Sequence, residues 1–182
     1  MSAARKFREL LLYVAKLSEG DPRCGRTKLN KILFYADFGA YRKLGRSISG
    51  QTYLKREFGP VAGGLPATID AMVADGECVW ASRDHYGRSL HKLLPLREPD
   101  LAVFDAAEVD LVRQVVEELW ELNATEVSDL SHRFIGWQAA DIGEEIPYNT
   151  VLVAPKRPLS EDEVVWAQQA IREFRDQDAA TP

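Results

Sequence analysis

The stretch KLNKILFYAD, residues 28–37, combines apolar residues at helical spacing with two lysines and a tyrosine. If the helix continues to residue 44, one of its faces is apolar and carries Leu29, Ile32, Leu33, Ala36, Ala40 and Leu44. The other face carries basic and aromatic residues, at Lys28, Lys31, Tyr35, Arg42 and Lys43. Thr27 is a suitable N-cap, and Gly45 ends the pattern. We therefore predict a helix that buries one face and points Lys28, Lys31 and Tyr35 away from the core.

A second stretch, TYLKREFGPV at residues 52–61, comes after this helix. Aromatic and β-branched residues up to Phe58 favour an extended segment. Gly59 permits an unusual backbone angle and Pro60 fixes the next one, so the pair ends the segment and pins it against the next predicted helix.

The remaining segments predict further helices and one hairpin. Apolar residues at helical spacing occupy 7–17, 65–73, 112–122, 127–134 and 164–174. Capping boxes begin two of these helices, at Asp105 with Glu108 and at Ser160 with Glu163. Residues 78–80 and 90–96 predict a hairpin with a polar tip, and residues 143–158 are irregular.

This order predicts a mainly α-helical α+β protein with a small antiparallel sheet. The order helix, helix, strand, helix, hairpin resembles a winged helix, and further helices come after it. We expect a single compact domain over residues 1–176, with a frayed tail at 177–182. The predicted core includes Leu29, Leu33, Ile69 and Trp120.

Composition places the chain among ordinary globular proteins. Of 182 residues, 46% are hydrophobic and 28% are charged, so a core can form without disulfides. No apolar run is long enough for a membrane span, and the first residues predict an amphipathic helix rather than a signal peptide. Cys24 and Cys78 are too few for a disulfide framework and are interpreted as reduced thiols, which favours the cytoplasm.

The chain has a net charge of −5, and its charged residues are distributed unevenly along the sequence. Residues 22–56 hold nine basic residues against Asp37, a local charge of +8, whereas residues 98–182 hold six basic residues against nineteen acidic ones, a local charge of −13. The basic side is suited to phosphates or to an acidic protein surface, or it is a solvated face.

The motifs of common enzymes are missing from the sequence. Neither of two glycine-containing stretches, 20–25 and 59–64, has the spacing of a phosphate-binding loop, and the three histidines lack metal-ligand spacing. We therefore expect no catalytic residues, no cofactor and no metal site. His132 lies near Trp137 at a predicted helix end, where it is interpreted first as a structural histidine and second as part of a binding site.

The helix motif at 28–37, together with Tyr53-x-Lys55-x-x-Phe58-Gly59-Pro60-Val61, resembles the Panacea domain of SocA-like antitoxins. Leu130-Ser131-His132 and Trp137 are similar to a later motif of that family. The resemblance implies a mainly helical domain that neutralises a cognate protein toxin by direct contact, and one branch of the family instead delivers its toxin to a protease. This chain departs from many relatives in lacking a tryptophan before the Gly-Pro-Val turn.

The leading hypothesis is therefore an antitoxin that binds another protein. The alternative is a winged-helix-like regulator that binds nucleic acid, although a net negative charge disfavours DNA binding. The predicted partner surface combines long cations with aromatic rings, at Lys28, Lys31, Tyr35, Tyr53, Lys55, Arg56, Phe58, His132 and Trp137.

Overall fold

Six helices and two short hairpin-like sheets make up the described part of the chain. The computed structural model describes residues 2–85 and 88–153. In chain order the elements are α1 (Ala3–Leu17), α2 (Arg26–Leu44), β1 (Tyr53–Leu54), β2 (Val61–Ala62), α3 (Leu65–Ala74), β3 (Cys78–His85), β4 (Arg88–Pro95), α4 (Ala106–Leu119), α5 (Ala124–His132) and α6 (Ile135–Ala139). Two 3-10 helices, Leu101–Val103 and Tyr148–Leu152, flank α4–α6. The predicted mainly helical α+β class is confirmed.

Helix α2 lies at the centre of the molecule. It contacts α1, α4, α5, β2, β4 and the 3-10 helix Tyr148–Leu152. The predicted N-cap Thr27 is wrong by two residues, because the helix begins at Arg26 behind Gly25. The predicted stop is confirmed: Gly45 has a φ of 73°, the left-handed conformation that ends helices.

The strands form two separate antiparallel pairs. In the first, Tyr53 faces Ala62 and Leu54 faces Val61, so only two residues of the predicted extended segment are strand. In the second, β3 and β4 pair from Cys78–Pro95 to His85–Arg88. In a winged helix the first strand joins the sheet of the hairpin. Among the described residues β1 instead pairs with β2, apart from the β3–β4 hairpin.

Local capping residues fix the later helices. Asp105 and Glu108 form the predicted capping box of α4, and Asn123 and Glu126 form a second box at α5. Helix α5 ends at His132, and a separate short helix α6 starts at Ile135. The hairpin tip, the predicted helix with the Ser160 cap and the tail 177–182 lie outside the described residues.

The core confirms three of the four predicted positions. Leu29, Leu33 and Ile69 are buried. Trp120 was predicted wrongly: it lies at the edge of the core, partly exposed, with its ring facing Gly20. None of the helices in the described ranges is long and apolar enough to cross a bilayer.

Candidate partner-binding surface

Lys28 is buried, which corrects the prediction that it lies on an exposed face. Its Nζ atom is 2.6 Å from an Asp21 carboxylate oxygen and donates to the backbone oxygens of Trp120 (2.8 Å) and Leu122 (2.7 Å). All three N–H donors of the ammonium group therefore have acceptors. Lys28 ties the start of α2 to the end of α4, which is a structural role.

Lys31 is also buried, so its predicted exposure is wrong as well. Among the described residues its Nζ atom has one weak acceptor, the Pro60 backbone oxygen at 3.4 Å. The side chain packs against Gly59, where an added Cβ atom would lie 2.6 Å from Lys31 Cε. Burial lowers the pKa of Lys31 to about 8. This lysine therefore packs against the Gly59-Pro60 turn from inside the protein.

Tyr53 completes the set of predicted surface residues that are buried. Its hydroxyl donates to Asp37 at 2.8 Å, and its ring packs edge-on against Phe34 and Phe38. The same carboxylate accepts hydrogen bonds from the backbone N–H groups of Ile48 and Ser49, both at 2.8 Å. Lys28 and Lys31 are buried because α2 is covered by neighbours on nearly every side, so that the face opposite its apolar stripe is buried too. Tyr53, on β1, is one of the residues that cover α2.

The other predicted residues from the turn and from α5–α6 come together on the surface. The ring of His132 stacks on Trp137 with centroids 4.1 Å apart and an interplanar angle of 20°. Lys55 Nζ lies 4.1 Å from the centroid of the Trp137 ring, and Trp137 Nε1 donates to the Arg56 backbone oxygen at 3.3 Å. Phe58, two residues after Arg56 in the same turn, is 68% exposed. We call Lys55, Arg56, Phe58, His132 and Trp137 the Trp137 surface.

Short backbone contacts hold the Trp137 surface in place. Lys55 Nζ donates to the Ala140 backbone oxygen at 2.9 Å, and Ser128 Oγ donates to the Phe58 backbone oxygen at 3.3 Å. Gly59, with a φ of 98°, closes the turn through its N–H bond to Arg56 at 3.0 Å. The turn therefore presents the Phe58 ring outward while its backbone is fixed to α5 and α6.

Tyr35 lies apart from this surface, in a groove that the sequence did not predict. One face of α2, from Phe34 to Lys43, and one face of α4, from Leu111 to Leu119, line an open cavity of about 710 Å³. Tyr35 is half-buried there, and burial raises the pKa of its hydroxyl. We call this cavity the α2–α4 groove. Leu130 and Arg133, which flank Ser131 and His132 in the sequence, also line it.

The basic segment 22–56 does not form a basic face of matching size. Lys28 and Lys31 are buried, and Arg23 pairs with Glu121 at 2.6 Å. Arg46 pairs with Asp105 and Glu108. Two of the nine basic residues, Arg23 and Arg46, thus pair with carboxylates from the acidic half of the chain, and Lys28 pairs with Asp21.

Reactive groups are sparse in the described part of the protein. Cys24 and Cys78 are free and buried, and burial raises the pKa of both thiols. Within residues 2–85 and 88–153 there is no group of three or more His, Cys, Asp or Glu side chains placed to hold a metal ion. The residues around Trp137 combine cationic side chains with an exposed aromatic side chain, and both kinds of group are enriched in protein interfaces.

Comparison with known proteins identifies the family. The family model described as "Antitoxin SocA-like, Panacea domain" matches residues 29–138, which run from the first turn of α2 to α6. No curated protein and no solved structure matches the chain. The matched region contains the Gly59-Pro60 turn and the whole Trp137 surface. The chain therefore belongs to the SocA-like antitoxin family and carries its Panacea domain.

Proposed function

We propose that this chain is the antitoxin of a toxin–antitoxin pair and neutralises a cognate protein toxin in the cytoplasm by binding it through the Trp137 surface. Family membership supports the antitoxin role. The observation that carries the surface is the contact of Lys55 and of the Arg56 backbone oxygen with Trp137, which stacks on His132, next to a turn that exposes Phe58.

This surface is suited to binding because little of it must be reorganised. Lys55 is already fixed by Trp137 and Ala140, so its side-chain entropy is lost in folding and not in association. Phe58 is exposed on a fixed turn, and its burial would contribute apolar area at low cost. Arginine and aromatic residues of this kind dominate the affinity of many protein interfaces.

A nucleic-acid-binding role has less support. Its main basis is the basic segment 22–56, whose charges are partly buried or paired. The separate pairing of β1–β2 and β3–β4 also differs from the layout of a winged helix.

Co-expression with the toxin tests the proposal. The toxin is taken from the reading frame next to this gene, and growth is measured with wild-type antitoxin and with the double variant Arg56→Glu, Phe58→Ala. The matched control is Arg113→Glu, Leu96→Ala, because Leu96 is 60% exposed and Arg113 is an exposed arginine on α4. We expect the first variant to lose rescue and the control to keep it, with both folded by circular dichroism.

Full rescue by the folded Arg56→Glu, Phe58→Ala variant would exclude the Trp137 surface as the toxin contact. The amount of toxin in rescued cells separates two modes of neutralisation. Undiminished toxin is the expected result for direct blocking, whereas toxin that disappears only when antitoxin and an intact protease are present would indicate delivery to that protease.

A further inference from the structure

The Gly59-Pro60 turn rests on two hydrogen-bond donors that lie inside the protein. Ser128 Oγ donates to the Phe58 backbone oxygen at 3.3 Å, and Lys31 Nζ donates to the Pro60 backbone oxygen at 3.4 Å. Ser128 is 7% exposed and Lys31 is 1% exposed. The carbonyl groups on both sides of Gly59 are therefore held from below, by α5 and by α2.

The space beneath the turn is closely packed. A Cβ atom added at Gly59 would clash with Ser131 Oγ and would lie 2.7 Å from Lys31 Nζ. Ser131 is fully buried, and its hydroxyl donates to the Ser128 backbone oxygen at 2.7 Å, so it is fixed to α5 as well. A displacement of the turn would break its bonds to Ser128 and Lys31 and open a gap above them.

We propose that Lys31 and Ser128 are positioning residues, which set the affinity for the toxin by fixing the turn that presents Phe58. This inference rests on the proposed function, because it requires the Trp137 surface to be the toxin contact. Both side chains are buried, so they act through the turn and not by touching the toxin. A binding residue on a fixed backbone loses less conformational entropy on association than one on a mobile backbone. Loosening the turn therefore weakens binding without removing a contact.

Amide hydrogen exchange of the free protein tests the positioning step. The Gly59 N–H donates to the Arg56 backbone oxygen at 3.0 Å, so its exchange rate reports opening of the turn. We expect Ser128→Ala and Lys31→Met each to accelerate this exchange by about threefold to tenfold, the effect of losing one hydrogen bond. The control is Tyr13→Phe, which removes a buried hydroxyl that donates to a backbone oxygen of α4 at 3.4 Å, and it should leave the rate unchanged.

Affinity for the purified toxin from the adjacent reading frame tests the consequence. We expect Ser128→Ala and Lys31→Met to weaken binding by about threefold to tenfold, and Tyr13→Phe to bind like wild type. Because Ser128 holds the backbone of Phe58, Ser128→Ala should change the affinity of a Phe58→Ala protein by less than about twofold. A general loss of stability would instead lower the affinity equally in both backgrounds.

Three results would overturn this inference while the proposed function stands. One is wild-type exchange at Gly59 in both variants. Another is wild-type toxin affinity of Ser128→Ala and Lys31→Met when Phe58→Ala binds weakly. The third is an equal loss of affinity from Ser128→Ala with and without Phe58. Wild-type affinity of Phe58→Ala itself would overturn both the inference and the proposed function.

Discussion

At the residue scale, Lys31 is the least expected feature of the protein. Its ammonium group is buried, and within residues 2–85 and 88–153 its one hydrogen-bond acceptor is the Pro60 backbone oxygen, at 3.4 Å. Lys28, one helical turn earlier, has three acceptors, one of them a carboxylate. Burial without an anion explains why the pKa of Lys31 is lowered to about 8.

The lowered pKa of Lys31 predicts a specific pH dependence of stability. Between pH 8 and 10.5 the unfolded chain keeps a proton on Lys31 that the folded protein has lost, so the free energy of unfolding rises with pH in this window. Relative to Lys31→Met, the wild-type protein should gain roughly 3 kcal/mol across it. Urea titrations of both proteins at several pH values measure this difference.

The same titrations on Lys43→Met provide the control, because Lys43 is an exposed lysine of the same helix. If the difference in unfolding free energy between wild type and Lys31→Met stays constant from pH 8 to 10.5, the description of Lys31 as a desolvated lysine is wrong.

At the scale of elements, the Gly59-Pro60 turn joins the core to the Trp137 surface. Gly59 has a φ of 98°, and an added Cβ would lie 2.6 Å from Lys31 Cε. Gly50 has a φ of 69°, but apart from its chain neighbours no atom of the described residues lies within 4 Å of an added Cβ. A comparison of the two glycines therefore separates the energetic cost of a left-handed backbone from the cost of a clash with neighbouring side chains.

Alanine substitutions test this difference. We expect Gly50→Ala to cost about 1–2 kcal/mol from the left-handed backbone alone. Gly59→Ala should cost more than Gly50→Ala by about 1–3 kcal/mol, since Lys31 and Ser131 must also move. Denaturant unfolding of the two variants gives the comparison, and equal losses would show that the turn relaxes without disturbing Lys31.

The elements that could be predicted from the sequence are those with local signals. The Asp105–Glu108 capping box lies within four residues, so the start of α4 was predictable. The hairpin was predicted from its apolar runs and polar tip. The exact start of α2 was not, because Gly25 precedes it without a side-chain cap and Thr27 offered a better local signal.

At the scale of the whole molecule, the oppositely charged halves of the sequence face each other. Arg23 reaches Glu121, and Arg46 reaches both Asp105 and Glu108. Lys6 at the N-terminal end adds a 2.7 Å pair with Glu108. Basic residues of the first half of the chain therefore form ion pairs with acidic residues of the second half. These pairs help to pack the region around α4 against α1 and α2, in addition to any effect of the charge asymmetry on an external partner.

The candidate surface was predictable only in part, because some of its contacts are local in sequence and others are not. Two separate family motifs suggested Phe58 and the pair His132 and Trp137, and the structure stacks His132 on Trp137 in contact with Lys55 and the Arg56 backbone. The burial of Lys28 depends on Trp120 and Leu122, more than ninety residues away, and no local pattern encodes that contact. The groove likewise requires the relative placement of α2 and α4.

Binding of a cognate toxin through the Trp137 surface, as proposed above, is tested most directly by the affinity of the Phe58→Ala variant for that toxin. The purified toxin from the adjacent reading frame is titrated with wild type, Phe58→Ala and the exposure-matched control Leu96→Ala. We predict that Phe58→Ala weakens binding by about 30-fold, the effect of losing a hot-spot residue worth about 2 kcal/mol, while Leu96→Ala binds like wild type. Wild-type affinity in a folded Phe58→Ala protein would contradict the claim.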